Sequence, residues 1–241
     1  MDVMIKGRAI VAGGNPGMKA PVTGIQAGTL AVGSAVKLME GGTAVEYLVV
    51  NQGIPSNSSL YDASCDGTWL LRKDIHSERQ WNSSNVNDYA NSTINTWLNG
   101  DFFNSFGSVE QAAIKQVKIP YRAGGGSDQS GANGLSCKVF LLSGYEVGFM
   151  TSDSSYIPVD GAKLDYFDAS SSKRIAYLNG LETIWWLRSP RTDGTRRAWC
   201  VQSIGIPGGG DTSGSAGIRP ALVLPSNALF DETTMLLKGA A

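Results

Sequence analysis

"WWLRSPRTDGTRRAWCVQSIGIPGGGDTSGSAGIRPAL", residues 185–222, joins two kinds of sequence. Its ends, Trp185–Pro190 and Gly217–Leu222, are aromatic, aliphatic and turn-forming, in the manner of a packed core. Its middle is small, polar, glycine-rich and dotted with arginine. Within it "AWCVQSIG" alternates: Trp199, Val201 and Ser203 point one way, Cys200, Gln202 and Ile204 the other, so one set is expected in a core and the other on display. "RTDGTRR" carries an Asp-Gly turn signal with Arg191, Arg196 and Arg197 beside it, a locally basic surface. "IPGGGDTSGSAG" is expected to be free to follow almost any loop path.

The composition around this stretch narrows the function. The chain has 241 residues, 42% of them hydrophobic and 9% aromatic, enough for one large domain with a real core. Twenty Lys and Arg against 21 Asp and Glu leave no global field to recruit nucleic acid or an acidic membrane. No apolar run approaches the roughly 20 residues of a membrane helix, and the N-terminus lacks a basic-then-apolar leader, so synthesis in a cytoplasm without membrane insertion is expected. Cys65, Cys137 and Cys200 are widely spaced and odd in number, which argues against a disulfide framework or a zinc knuckle. His76, the single histidine, reads as a surface or loop residue. "DASCDG" from Asp62 has neither the alternating ligands nor the closing Glu of a calcium loop, so neither a metal nor a cofactor is expected. "AGGGSDQSGANG" lacks the Gly-Lys-Ser/Thr ending of a phosphate cradle, and no Gly-x-Ser-x-Gly nucleophile elbow occurs.

Upstream, residues 1–33 are Gly- and Pro-rich and read as a short β-rich arm or attachment segment. The main domain is expected over 34–230 and a polar tail over 231–241. Two β-rich runs, Ala35–Met39 and Ala44–Asn51, flank Glu40-Gly41-Gly42, a hairpin turn; "GTWLLRKDI" is another strand. Helical spacing of Ala90, Ile94, Trp97 and Leu98 predicts a helix capped by Asn87 or Asp88 and ended by Gly100. "SVEQAAIKQVKI" predicts a second, with Ser108 as N-cap, Gln111 as capping-box partner and Val109, Ala113 and Val117 along one side. "CKVFLLSGYEVGF" reads as β. The sum is an α+β protein with antiparallel strands, two main helices and long irregular loops.

"WWLRSP", "AWCVQSIG" and "GIRPALVLP", preceded by "VEYLVVNQGIPSNSSLYDASCDGTWLLRKDI" and "FLLSGYEVGF", resemble in order an uncharacterised domain family of gut bacteria and their phages, over roughly residues 30–230. The family resembles in turn the variable proteins of diversity-generating retroelements, which mutate a C-terminal segment on a C-type lectin-like scaffold. The resemblance implies a C-type lectin-like fold in which Trp185, Trp186, Leu187, Pro190, Trp199, Ile218 and Pro220 are fixed framework. Residues of about 191–216 would be displayed, with Arg191, Asp193, Thr195, Arg196, Arg197, Cys200, Gln202, Ile206, Asp211 and Thr212 as ligand contacts. Adenine-directed mutation cannot reach Lys, Glu, Gln, Met or Trp from Asn-type codons; between Arg191 and Ala216 only Trp199 and Gln202 are of those types. The implied function is non-enzymatic: a receptor-binding or adhesion component of a phage virion, at a tail or other exposed position. It would be a homo-oligomer attached to other virion proteins through the N-terminal arm, and would bind a bacterial surface protein or glycan. The alternatives are a structural virion protein whose loops touch neighbouring subunits, and an enzyme on a scaffold like that of formylglycine-generating proteins, for which only Cys200 lies near the proposed site.

Overall fold

The computed structural model describes residues 23–56, 58–123 and 126–240; most of the expected N-terminal arm lies outside them. Two five-stranded sheets dominate. In chain order their strands are β1 (Ala35–Glu40), β2 (Thr43–Gln52), β3 (Thr68–Arg72), β4 (Glu78–Gln80), β5 (Val139–Phe140), β6 (Trp185–Pro190), β7 (Arg197–Val201), β8 (Pro207–Asp211), β9 (Ser215–Gly217) and β10 (Ala221–Leu224). The first sheet runs β5-β10-β3-β2-β1 and the second β8-β7-β6-β9-β4, antiparallel except for β6 beside β9. Among the described residues 34% are strand and 15% helical, with one helix of ten residues. The expected α+β, C-type lectin-like fold with two main helices is therefore not the fold: the protein is mostly β.

Strands β3, β6 and β10 are buried on both faces. Along β3, Leu70 enters one core while Trp69 and Leu71 enter the other; along β6, Trp186 faces the first and Trp185 and Leu187 the second. β7 divides the same way, Ala198 and Cys200 against Trp199 and Val201. That is why "TWLLR", "WWL" and "ALVL" are continuous apolar runs rather than alternations. The helices cover the first core; loops between Ser143 and Phe167 and the Val117–Ile119 strand cover the second. The display expected of Cys200 fails here, because both sides of β7 are core.

The β1–β2 hairpin forms where expected, with φ of +57° and +78° at Gly41 and Gly42, a turn conformation that favours glycine at both places. The helices differ. α1 (Thr93–Trp97) is capped by Ser92, whose hydroxyl accepts from Asn95 N at 3.2 Å, and continues through a π-helical turn, Leu98–Phe102, that passes over Gly100 instead of ending there. Asn87 caps nothing; it is recruited by a loop described below. α2 (Ser108–Ala113) begins after Gly107, and its length is cut because Val117–Ile119 pairs with Leu135–Cys137 as a strand. Gln111 serves no capping box: its amide donates to Phe106 O at 2.7 Å, while Glu110 reaches Met39 N at 3.0 Å. Of "CKVFLLSGYEVGF", the part after Phe140 is loop. His76 is half-buried, edge-on to Trp97 and Phe102, and burial lowers its pKa. Ile25–Gln26 and Leu237–Ala240 flank Ala228–Phe230 in a small sheet, so the stretch read as a polar tail adds a strand with Leu237 buried.

The closing bracket is where the chain changes sheets. β9 belongs to the second sheet and β10 to the first, with Ile218, Arg219 and Pro220 between them. The β3–β4 segment crosses alongside: His76 N donates to Ile218 O, Ile218 N to Ser77 O and Arg72 N to Pro220 O, each at 2.8–2.9 Å. Gly217 permits the crossing, since a Cβ there would lie 2.8 Å from Ile184 O and from Ile75.

Candidate functional site

Behind the display segment lies a buried polar knot. Arg188 uses all five of its N–H groups: Nε donates to Pro120 O, Nη1 to Leu141 O and Glu146 Oε2, Nη2 to Glu146 Oε1 and Asp160 O, at 2.5–2.9 Å. Burial opposes its charge, but Glu146 outweighs that and holds the Arg188 pKa above its usual value. Glu146 also accepts from Tyr61 OH at 3.0 Å and Ser143 N at 2.9 Å. Beside it, Asp160 accepts from Ser189 Oγ, and burial pushes its pKa up to about 7 in spite of Arg188. Tyr61, Glu146 and the Arg188–Ser189 pair come from three separate motifs of the sequence, so the knot is what those motifs build in common. The tryptophan frame is equally closed: the indole N–H groups of Trp185, Trp186 and Trp199 donate to Arg174 O, Arg79 O and Tyr156 O. Leu187, Pro190, Ile218 and Pro220 are buried as well.

In front of this frame the 191–197 loop is shaped from outside itself. Asn87, 1% exposed, shares its two amide protons among Arg191 O, Gly194 O and Arg197 O at 2.8–3.1 Å, and its backbone N–H donates to Thr195 O. Asn85 orients Arg196: its amide oxygen accepts from Nε at 2.9 Å and Nη2 at 3.0 Å, while its nitrogen donates to Thr212 Oγ1 and Arg196 O. Arg191 lies over Trp199 and Tyr156 and pairs with Asp193 through Nε (3.0 Å) and Nη2 (2.5 Å). The hydrogen bond to Arg191 lowers the Asp193 pKa.

The triple glycine is β8, not a free loop. A Cβ on Gly210 would lie 2.7 Å from Trp186, on Gly209 2.9 Å from Arg191 Cδ, and on Gly208 inside the Gln202 amide. The pairs Thr212 N–Arg196 O and Gln202 N–Ile206 O fix the parity, so Gly209 and Asp211 turn their backbone groups to the open edge. There Gly209 O accepts from Arg197 Nη2 and Asp211 O from Gly214 N, which blunts the edge against an added strand.

Asp193, Gly194, Thr195, Arg196, Arg197 and Asp211 line an open depression of about 620 Å³. The structure thus gathers Asp193, Thr195, Arg196, Arg197 and Asp211, with Arg191 as the support of Asp193. It does not bring the other four expected contacts to that face. Thr212 is fully buried against Asn85, and Cys200 is core, its thiol pushed up to about 12 by burial. Gln202 and Ile206 sit at the far end of the hairpin, roughly 16 Å along a five-residue strand. Asn85, Asn87 and Tyr156 were not read from the sequence as parts of this face; Asn87 was read only as a candidate helix cap, and an Asn-rich run gives no hint of which amide will be buried.

A mostly β protein whose buried core backs an open polar face is the class defined by this fold and site. The chain belongs to the DUF6273 family, a domain of unknown function, whose model matches residues 66–226. The match takes in both brackets and the whole face but begins beyond β1 and β2. Neither the curated proteins nor the solved structures contain a match.

Proposed function

We propose that this is a non-enzymatic ligand-binding protein, a component of a phage virion that presents the Asp193–Asp211 face to a bacterial cell-surface ligand. The observation that carries the binding role is the depression whose polar rim is held in place by residues outside it, Asn85, Asn87 and the β8 glycines. Pre-set side chains on an open face lose little entropy when a partner docks. The virion and bacterial-surface part rests on the resemblance of the ordered motifs to an uncharacterised domain family of gut bacteria and their phages. Cysteine chemistry is disfavoured: burial pushes Cys65 up to about 11, Cys200 to about 12 and Cys137 further, so thiolate is scarce at neutral pH. The test is adsorption of the full chain, carried on beads, to a panel of gut bacterial cells. Arg196→Ala/Arg197→Ala should lose adsorption with an unchanged melting curve; adsorption that survives the double change removes this face as the binding surface.

One observation favours the structural reading as well. At the opposite end of the same strands Ile184 (37% exposed), Ile204 (57%) and Ile206 (45%) stand in water. An apolar patch of this kind suits a neighbouring subunit. Ile204→Asp/Ile206→Asp should then change the sedimentation of the protein without touching cell adsorption.

A further inference from the structure

We infer that the Asp193–Asp211 face takes a neutral, hydroxyl-rich chain, a surface oligosaccharide, and not a polyanion; this rests on the binding role proposed above. Three guanidinium groups crowd the face, which by sequence reads as a basic patch. In the structure two of the three charges are offset by carboxylates. Arg191 is paired with Asp193, Arg196 lies 3.7 Å from Asp211 Oδ2 and is gripped by Asn85, and Arg197 holds Gly209 O. Two exposed carboxylates therefore stand among three cations. A polyanion would meet Asp193 and Asp211 at close range, a like-charge contact that works against it.

A guanidinium beside a carboxylate instead offers donors and acceptors a few ångströms apart. A sugar hydroxyl is both donor and acceptor, and two vicinal hydroxyls match such a pair. Thr195 adds a third hydroxyl-reading group on the rim. The shape adds the length. A second hollow of about 150 Å³, lined by Asn87, Arg122, Pro190, Arg191 and Thr192, shares Gly194 and Thr195 with the first. The loop tip is thus a ridge between two hollows, and an occupant of both is an extended chain draped over it.

Asp211→Asn in the full chain separates the two ligand classes by sign. With a neutral oligosaccharide it removes an ionic acceptor and weakens adsorption to cells about tenfold; with a polyanion it removes repulsion and strengthens adsorption. Three treatments of the bead assay complete the test. Periodate oxidation of the cells, which cleaves vicinal diols, should abolish adsorption, protease treatment should spare it, and raising NaCl from 50 to 500 mM should change it less than about twofold, since no counterions are released. Stronger adsorption by Asp211→Asn with a steep loss in salt overturns the inference in favour of an anionic ligand. Sensitivity to protease and not to periodate overturns it in favour of a protein. In both cases the binding role stands as long as Arg196→Ala/Arg197→Ala still abolishes adsorption; if that double variant adsorbs normally, the binding role and this inference fall together.

Discussion

Arg188 and Arg219 occupy corresponding places in the two brackets, and both are buried, yet their surroundings are opposite. Arg188 has every donor used and a carboxylate partner. Arg219 lies over the Trp185 ring with Nε on Arg72 O, its Nη1 is without a partner, and burial lowers its pKa to about 10. Removing one partner of a buried pair strands the other, so Arg188→Met should cost about 3–5 kcal/mol, whereas Arg219→Met relieves a poorly paired charge and should cost under about 1.5. Urea denaturation of both variants checks this; equal losses would mean the knot does not depend on its ion pair. Asp160 supplies a pH signature. Its folded pKa of about 7 lies above the ordinary carboxylate value, so between about pH 4 and 7 the folded state holds a proton that the unfolded state has released. Its contribution is fully present below pH 4 and lost as pH rises to 7, a change of a few kcal/mol. Asp160→Asn should flatten the fall in stability between about pH 4 and 7; a variant that keeps the wild-type slope would place the titration elsewhere. None of this was legible beforehand, because an arginine in a sequence reads as surface until its counter-ion is located, and Glu146 lies 42 positions from Arg188.

At the scale of elements, what could be read was what local chemistry decides. Glu40-Gly41-Gly42 set a turn that needs positive φ, and the β1–β2 hairpin followed. Helix lengths were misread because propensity was overruled by pairing: the strand partner Leu135–Cys137 claims Val117–Ile119 from α2. Strand β8 was hidden for another reason. Glycine carries no β signal of its own, and the need for it comes from Trp186 and Arg191, which press on the strand from β6 and the loop that follows. Gly210→Ala should therefore lose about 1–3 kcal/mol, the cost typical of overpacking. Gly194→Ala, with nothing within 4 Å, should be within about 0.5 of wild type. Thermal melts of the pair decide; a tolerated Gly210→Ala would show that β8 can move away from Trp186.

The whole molecule is held by exchange between its sheets. The family match begins at residue 66, yet β1 and β2 supply two of the five strands of the first sheet, with Val36, Leu38, Tyr47 and Val49 fully buried in its core. A fragment limited to residues 66–226 would open β3 along its length and uncover that apolar surface. It should show no cooperative melting transition in calorimetry where the full chain shows one; a sharp transition in the fragment would make the hairpin an accessory. The brackets read as packed core from their apolar runs and are buried in the structure, while their role as a mid-sheet strand and a crossing between sheets depends on partners the sequence does not juxtapose. Asn87, finally, sits about a hundred positions before the loop it clamps. Instructions for the shape of that loop are thus stored in one part of the gene and the side chains it wears in another. Changes in the second leave the first unread, and a lineage can try new surfaces on an unaltered mould.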